Sequence, residues 1–219
     1  KKAWRIQHGY SEEMFDGIEF RGFRHSHVEL LAKYSGVPVW NGLTDDYHPT
    51  QVLADLLTIQ EHFQYFEGLK FVYIGDGRNN MANSLMIGCA KVGIDFVLIA
   101  PSELWPMRSL VRTCQEYADA SGSTITISDN TNDVEGADII YTDVWISMGE
   151  EEKNRRKEKA LLHKYQVNRK LMERHKKTQL YLCTVCQRSK DTKSQKTYSK
   201  ARRPSYSTKQ KTDSTPSKP

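Results

Sequence analysis

Between Lys70 and Tyr141 the chain alternates short apolar runs with segments of helical period, and that alternation leaves few folds open. Lys70-Phe71-Val72-Tyr73-Ile74 reads as a buried strand that ends in the polar turn Gly75–Asn80. A helical pattern over Met81–Val92 stops at Gly93, and Asp95–Ala100 is the next strand. A helix near Met107–Ala120 and strands Thr124–Ile127 and Asp138–Tyr141 complete the series. Strand, helix, strand in strict succession is the pattern of a parallel sheet with flanking helices. A shorter series of the same kind comes first: strand Phe15–Phe20, helix Val28–Tyr34 closed by Gly36, strand Val37–Trp40. A charged helix is expected from about Glu150 to Tyr165, with Glu151–Arg155 and Glu152–Arg156 as i,i+4 pairs. Lys177–Leu182 reads as one more strand. There is no internal repeat.

The two series meet at Val37–Gln51. Asn41-Gly42 and Asp45-Asp46 read as a turn. Pro49 falls where proline suits a helix best, at its first position, which leaves His48 extended before it and starts a helix that runs to about Phe63. His48-Pro49-Thr50-Gln51 is therefore a polar loop at a helix N-terminus, where unpaired N–H groups and the positive dipole end favour an anion. The same residues also fit an ordinary capped start of a buried helix.

The net charge of +5 hints at nucleic acid until it is split along the chain. Residues 183–219 hold 10 Lys+Arg and 2 Asp+Glu, which leaves 22 basic and 25 acidic residues of the 32 and 27 in the whole chain. The body is mildly acidic, and the excess positive charge is in a tail without Leu, Ile, Phe, Met or Trp, too polar to form a core. No apolar run reaches the length of a membrane helix and no signal peptide opens the sequence. Four irregularly spaced cysteines do not make a disulfide framework. A cytoplasmic setting is the expectation.

In open α/β sheets ligands sit beyond the carboxyl ends of the strands. Arg21, Asn79-Asn80 and Asp143 fall there. Asn80 stands where a dinucleotide fingerprint needs its third glycine, which argues against a nicotinamide site. Ser147 with Glu150 three residues on is a capping-box pattern, which does not prevent Ser147 from touching a ligand. Asp143, directly after an apolar strand, suits a cationic group. Cys183-x-x-Cys186 lacks a second pair or a histidine at ligand spacing, so no metal site is expected.

Four motifs carry a resemblance: Phe20-Arg21-Gly22, His48-Pro49-Thr50-Gln51, Asp76-Gly77-Arg78-Asn79-Asn80 and Asp143-Val144-Trp145-Ile146-Ser147-Met148-Gly149. In this order, from Met14 to about Leu182, the chain resembles the ornithine carbamoyltransferases, a branch of the aspartate/ornithine carbamoyltransferase family. The resemblance implies two α/β domains. Residues 1–47 would be the remnant of a carbamoyl phosphate domain, 48–63 the interdomain helix, 64–182 a Rossmann-like ornithine domain and 183–219 a basic tail. It further implies that Arg21, His48, Pro49, Thr50 and Gln51 contact carbamoyl phosphate, with Arg21 and His48 catalytic. Asn80, Asp143, Ser147 and Met148 would hold L-ornithine. No metal or organic cofactor is implied. The family assembles as trimers or multiples of trimers.

Two pieces of the family pattern are missing: the Ser-Thr-Arg-Thr phosphate loop upstream, and a His-Cys-Leu-Pro motif after Leu182. An allowed codon choice for Cys183–Lys190, read one base earlier, spells His-Cys-Leu-Pro-Ala-Phe-Lys. The same shift applied to residues 1–13 gives a segment similar to the family's. Both ends are thus read as out of frame, and the chain as written is expected to be inactive. The rival readings are a carbamoyltransferase for another amine, such as putrescine, and a non-catalytic protein whose basic tail engages nucleic acid.

Overall fold

A computed structural model describes residues 15–143, 160–168, 171 and 180–183; for the last four only the backbone is considered. Two parallel sheets organise them. The smaller pairs β1 (Ile18–Arg21) with β2 (Val39–Leu43), and helix α1 (His25–Tyr34) makes the crossover. The larger holds five strands in the order β5-β4-β3-β6-β7: β3 (Lys70–Ile74), β4 (Asp95–Ile99), β5 (Ile125–Ser128), β6 (Ile139–Thr142) and β7 (Leu180–Cys183). All its pairings are parallel. Helix α2 (Pro49–Phe63) connects the sheets, and α3 (Asn80–Val92) and α4 (Arg108–Ser121) cross over within the larger one.

The α/β class, the parallel sheet and the flanking helices are as the sequence predicts. The central strands explain why a continuous apolar run was the right signal, since both of their faces are covered. Phe71 and Tyr73 point into a core with Val52 and Ile59 of α2, Leu85 and Cys89 of α3, and Cys114 of α4. Val72 and Ile74 point to the opposite face, against Ile99, Val134, Ile140, Tyr165 and Leu171. Across β4, β3 and β6, Phe71 stacks with Phe96 and lies tilted against Tyr141, with ring centroids 5.8 and 5.7 Å apart.

One local expectation fails. Asn41-Gly42 is not part of a turn but lies inside β2. Phe20 pairs with Asn41 and Arg21 with Leu43, so Gly42 is the extra residue of a bulge. A missing side chain there lets the strand kink without a collision against β1. The reversal of direction comes later, at Thr44–Tyr47.

Helix ends follow their sequence signals. Pro49 occupies the first turn of α2 as expected, and the helix ends on Gln64 in the left-handed conformation. Gly93 takes that conformation after α3, where its N–H bonds to the Cys89 carbonyl. The described part of the expected charged helix is confined to 160–165, which is helical; its two i,i+4 pairs and the Ser147–Glu150 capping box lie outside the described residues, as do 1–13 and 184–219. No helix among the described residues is long and apolar enough to cross a membrane.

Candidate functional site

Strand order in the larger sheet reverses between β3 and β6: the chain moves outward through β4 and β5, then returns to the other side of β3. The carboxyl ends of β3 and β6 therefore lie at a topological switch point, the place where open α/β sheets form their ligand crevice. The turn after β3 is stitched internally. Asp76 accepts from the Arg78 backbone N–H at 2.9 Å and from its guanidinium at 3.1 and 2.9 Å. The Tyr73 hydroxyl donates to the Asp76 carbonyl and accepts from Asn79 Nδ2. Asn79 Oδ1 caps α3 by accepting from the Ala82 N–H at 2.8 Å. Of the pair Asn79-Asn80, the first is thus used by the fold.

Asn80 instead faces the loop before α2. Its Nδ2 donates to the Thr44 carbonyl at 2.8 Å. One turn on, Asn83 Nδ2 donates to the Asp46 carbonyl at 3.2 Å, and Ser84 Oγ accepts the His48 N–H at 2.8 Å. Residues 80, 83 and 84 share one face of α3, so a single helix face straps down the whole segment 44–48. From the other side, buried Thr44 receives the Tyr47 N–H on its hydroxyl and lies 3.1 Å from His25 Nδ1.

The strapped loop delivers His48-Pro49-Thr50-Gln51 to the crevice. No side chain caps α2, and Pro49 has no N–H to satisfy. The Thr50 hydroxyl donates to the Gly42 carbonyl at 2.8 Å and lies 3.3 Å from His48 Nδ1. Burial lowers the His48 pKa most; the Gly42 carbonyl and Asp143 raise it, and the Arg21 cation lowers it. Arg21, at the end of β1, and Asp143, at the end of β6, are therefore both within electrostatic reach of the same imidazole. Gln51 is half-buried and gives its Nε2 to Asp55 Oδ1 at 3.0 Å.

The structure thus brings together Arg21, His48, Pro49, Thr50, Gln51, Asn80 and Asp143. Ser147 and Met148 lie outside the described residues. Sequence reading missed Thr44, Ser84 and Asp55. For Asp55 a signal was present: Val52, Asp55, Ile59 and Phe63 form the buried stripe of α2, and an acid in an otherwise apolar stripe marks a buried polar function. Among the described residues no group of three His, Cys, Asp or Glu is disposed to hold a metal.

Residues 67–194 match the family model "Aspartate/ornithine carbamoyltransferase, Asp/Orn binding domain", and residues 8–61 match the carbamoyl-P binding domain of the same family. An ornithine carbamoyltransferase of Caldanaerobacter subterraneus is 56% identical over 162 residues, which are 74% of this chain and 51% of that protein. A catabolic ornithine carbamoyltransferase of Bacillus licheniformis is also 56% identical, with 48% of its length matched. The chain spans about half the length of the curated relatives it matches. Among solved structures, the ornithine carbamoyltransferase of Pyrococcus furiosus superimposes with a TM-score of 0.76 at 37% identity, covering 84% of this chain and 57% of that one. With more than half of its residues matched by one domain model and the adjoining segment by its companion, the chain belongs to the aspartate/ornithine carbamoyltransferase family.

Proposed function

We propose that this chain carries the ornithine half and part of the carbamoyl phosphate half of an enzyme that transfers a carbamoyl group to the side-chain amine of L-ornithine. The observation that supports it is the convergence of a cation (Arg21), an imidazole (His48) and an uncapped helix start with an acid (Asp143) across one crevice. The first three suit the phosphate and carbonyl oxygens of carbamoyl phosphate; the acid suits the ammonium group of an amino acid. In this reading residues 1–47 belong to the carbamoyl phosphate domain, α2 is the interdomain helix, and 64–182 form the ornithine domain. Asn80, Asp143, Ser147 and Met148 hold ornithine, and the parent protein assembles as a trimer or a multiple of trimers.

The chemistry is addition of the neutral amine to the carbamoyl carbon. A C–N bond forms, the C–O bond to phosphate breaks, the nitrogen loses one proton, and citrulline and phosphate leave. Negative charge gathers on the carbonyl oxygen in between, and the Arg21 cation and an N–H of His48 suit its stabilisation. Strapping the His48 loop to Asn80 fixes one substrate subsite relative to the other, which serves alignment. The amine must be uncharged, so turnover rises with pH until that group is deprotonated.

The test is citrulline formation by the chain joined to a restored carbamoyl phosphate domain, with ornithine, putrescine and aspartate compared as acceptors. Ornithine is expected to give the highest kcat/KM. Preference for putrescine or aspartate would overturn the assignment. The 219-residue chain alone is expected to give no turnover, and the gene sequence decides whether residues 1–13 and 183–219 are read out of frame.

A further inference from the structure

Asp55 sits one turn beyond Gln51 on the buried stripe of α2 and is 6% exposed. Gln51 Nε2 donates to its Oδ1 at 3.0 Å, and Oδ2 is buried as well. Burial pushes its carboxyl up to about 6; bonding to Gln51 and to Tyr141 opposes the rise, and Asp143 adds to it. Those neighbours come from α2 and β6, and the Cys89 thiol of α3 also feels the Asp55 charge. An acid in so poor a solvent needs a reason to be there, since an apolar residue would fill the stripe at less cost.

The reason lies in what a carboxylate does to an amide. An ionised carboxylate only accepts hydrogen bonds, so the Gln51 carboxamide must turn its nitrogen toward Asp55, and its oxygen remains as an acceptor. Asn80 is fixed in the same sense, because its nitrogen is held by the Thr44 carbonyl, which also only accepts. Carbamoyl phosphate offers acceptors on its phosphate and carbonyl and hydrogen-bond donors only on its –NH2 end. We propose that Asp55 is a positioning residue that fixes the Gln51 amide with its oxygen toward the substrate, so that Gln51 accepts from the carbamoyl –NH2 and disfavours acyl phosphates with a methyl group there. This rests on the function proposed above.

Two measurements test it. In the 219-residue chain, the side-chain amide resonances of Gln51 are followed by NMR from pH 4.5 to 8. They are expected to titrate in the wild type and to stay flat in Asp55→Asn. In the chain with the carbamoyl phosphate domain restored, kcat/KM is compared for carbamoyl phosphate and acetyl phosphate. Asp55→Asn is expected to lower the preference for carbamoyl phosphate by about tenfold or more, the scale of one lost charge-assisted hydrogen bond. In a Gln51→Ala background the same substitution is expected to change the preference no further, which separates a lost orientation from a general loss of fold. Flat Gln51 resonances in the wild type, or an unchanged preference in Asp55→Asn, overturn the inference. Absence of citrulline from the restored protein overturns the functional reading instead, and the NMR titration then still decides whether Asp55 governs Gln51.

Discussion

Gly88 offers the sharpest test of how α2 is held. It lies in the middle of α3, where alanine would normally stabilise a helix by about 1 kcal/mol. Here a Cβ would stand 2.5 Å from Val52 Cγ1, far inside van der Waals contact. Val52 is buried at the start of α2, directly after Gln51, and a valine in a helix has essentially one χ1 rotamer, so it cannot swing clear. The helices would have to separate, and overpacking of this kind costs about 1–3 kcal/mol. Gly88→Ala is thus expected to destabilise by about 1 kcal/mol net, a fall in Tm of about 2–4 °C for a unit of this size. Val52→Ala alone leaves a cavity and is expected to cost about 2 kcal/mol. In the double variant the new methyl fills the space vacated, so the two changes should fall short of additivity by at least about 1 kcal/mol. Urea unfolding followed by circular dichroism on the four chains measures this coupling. A Gly88→Ala chain more stable than wild type, with additive effects in the double variant, would refute the close approach of α2 and α3.

Three further outcomes follow from buried groups. The Asp55 carboxyl titrates at about 6 when folded against about 3.9 when unfolded, so the folded state holds the extra proton between those values. Stability is expected to fall as pH rises through that window, by at most about 2–3 kcal/mol, and Asp55→Asn should flatten the curve. The opposite sign applies to His48: its folded pKa lies below the ordinary 6.5, so stability is lost as pH falls beneath that value, and its ring proton resonance should titrate with a midpoint below 6.5. Cys89 and Cys114 are fully buried, and burial pushes both thiols up, Cys114 to about 11. Both are expected to resist iodoacetamide in the native chain and to react in urea, as read by mass spectrometry; rapid native labelling of either would contradict the packing around α3 and α4.

Much of the fold was legible because a parallel sheet writes itself as apolar runs with both faces covered. Lys70–Ile74 is predicted to the residue for that reason, and Gly93 marks the end of α3 because no other residue takes the left-handed conformation so cheaply. Asn41-Gly42 misled because a strand bulge and a turn ask for the same residues, and only the partner strand distinguishes them. At the site, Arg21, His48 and Asp143 were visible as polar residues at strand ends or a helix start. The straps from Asn80, Asn83 and Ser84 to the 44–48 segment were not, since pairs 36 or 37 residues apart leave no local pattern.

β7 carries a consequence of another kind. Among the described residues it is the last strand of the sheet to be synthesised, nearly forty residues after β6, and it covers the outer edge of a strand whose Ile139, Ile140 and Tyr141 are almost wholly buried. Until it docks, β6 exposes a row of unsatisfied N–H and C=O groups beside an apolar surface, the arrangement that recruits foreign strands. Closing that edge requires a non-local pairing, Ile139 with Leu180, and such pairings form slowly. A nascent or truncated chain without Leu180–Cys183 would therefore be prone to pair edge to edge with its own copies, so a strand of four residues decides whether the domain stays unassociated long enough to fold.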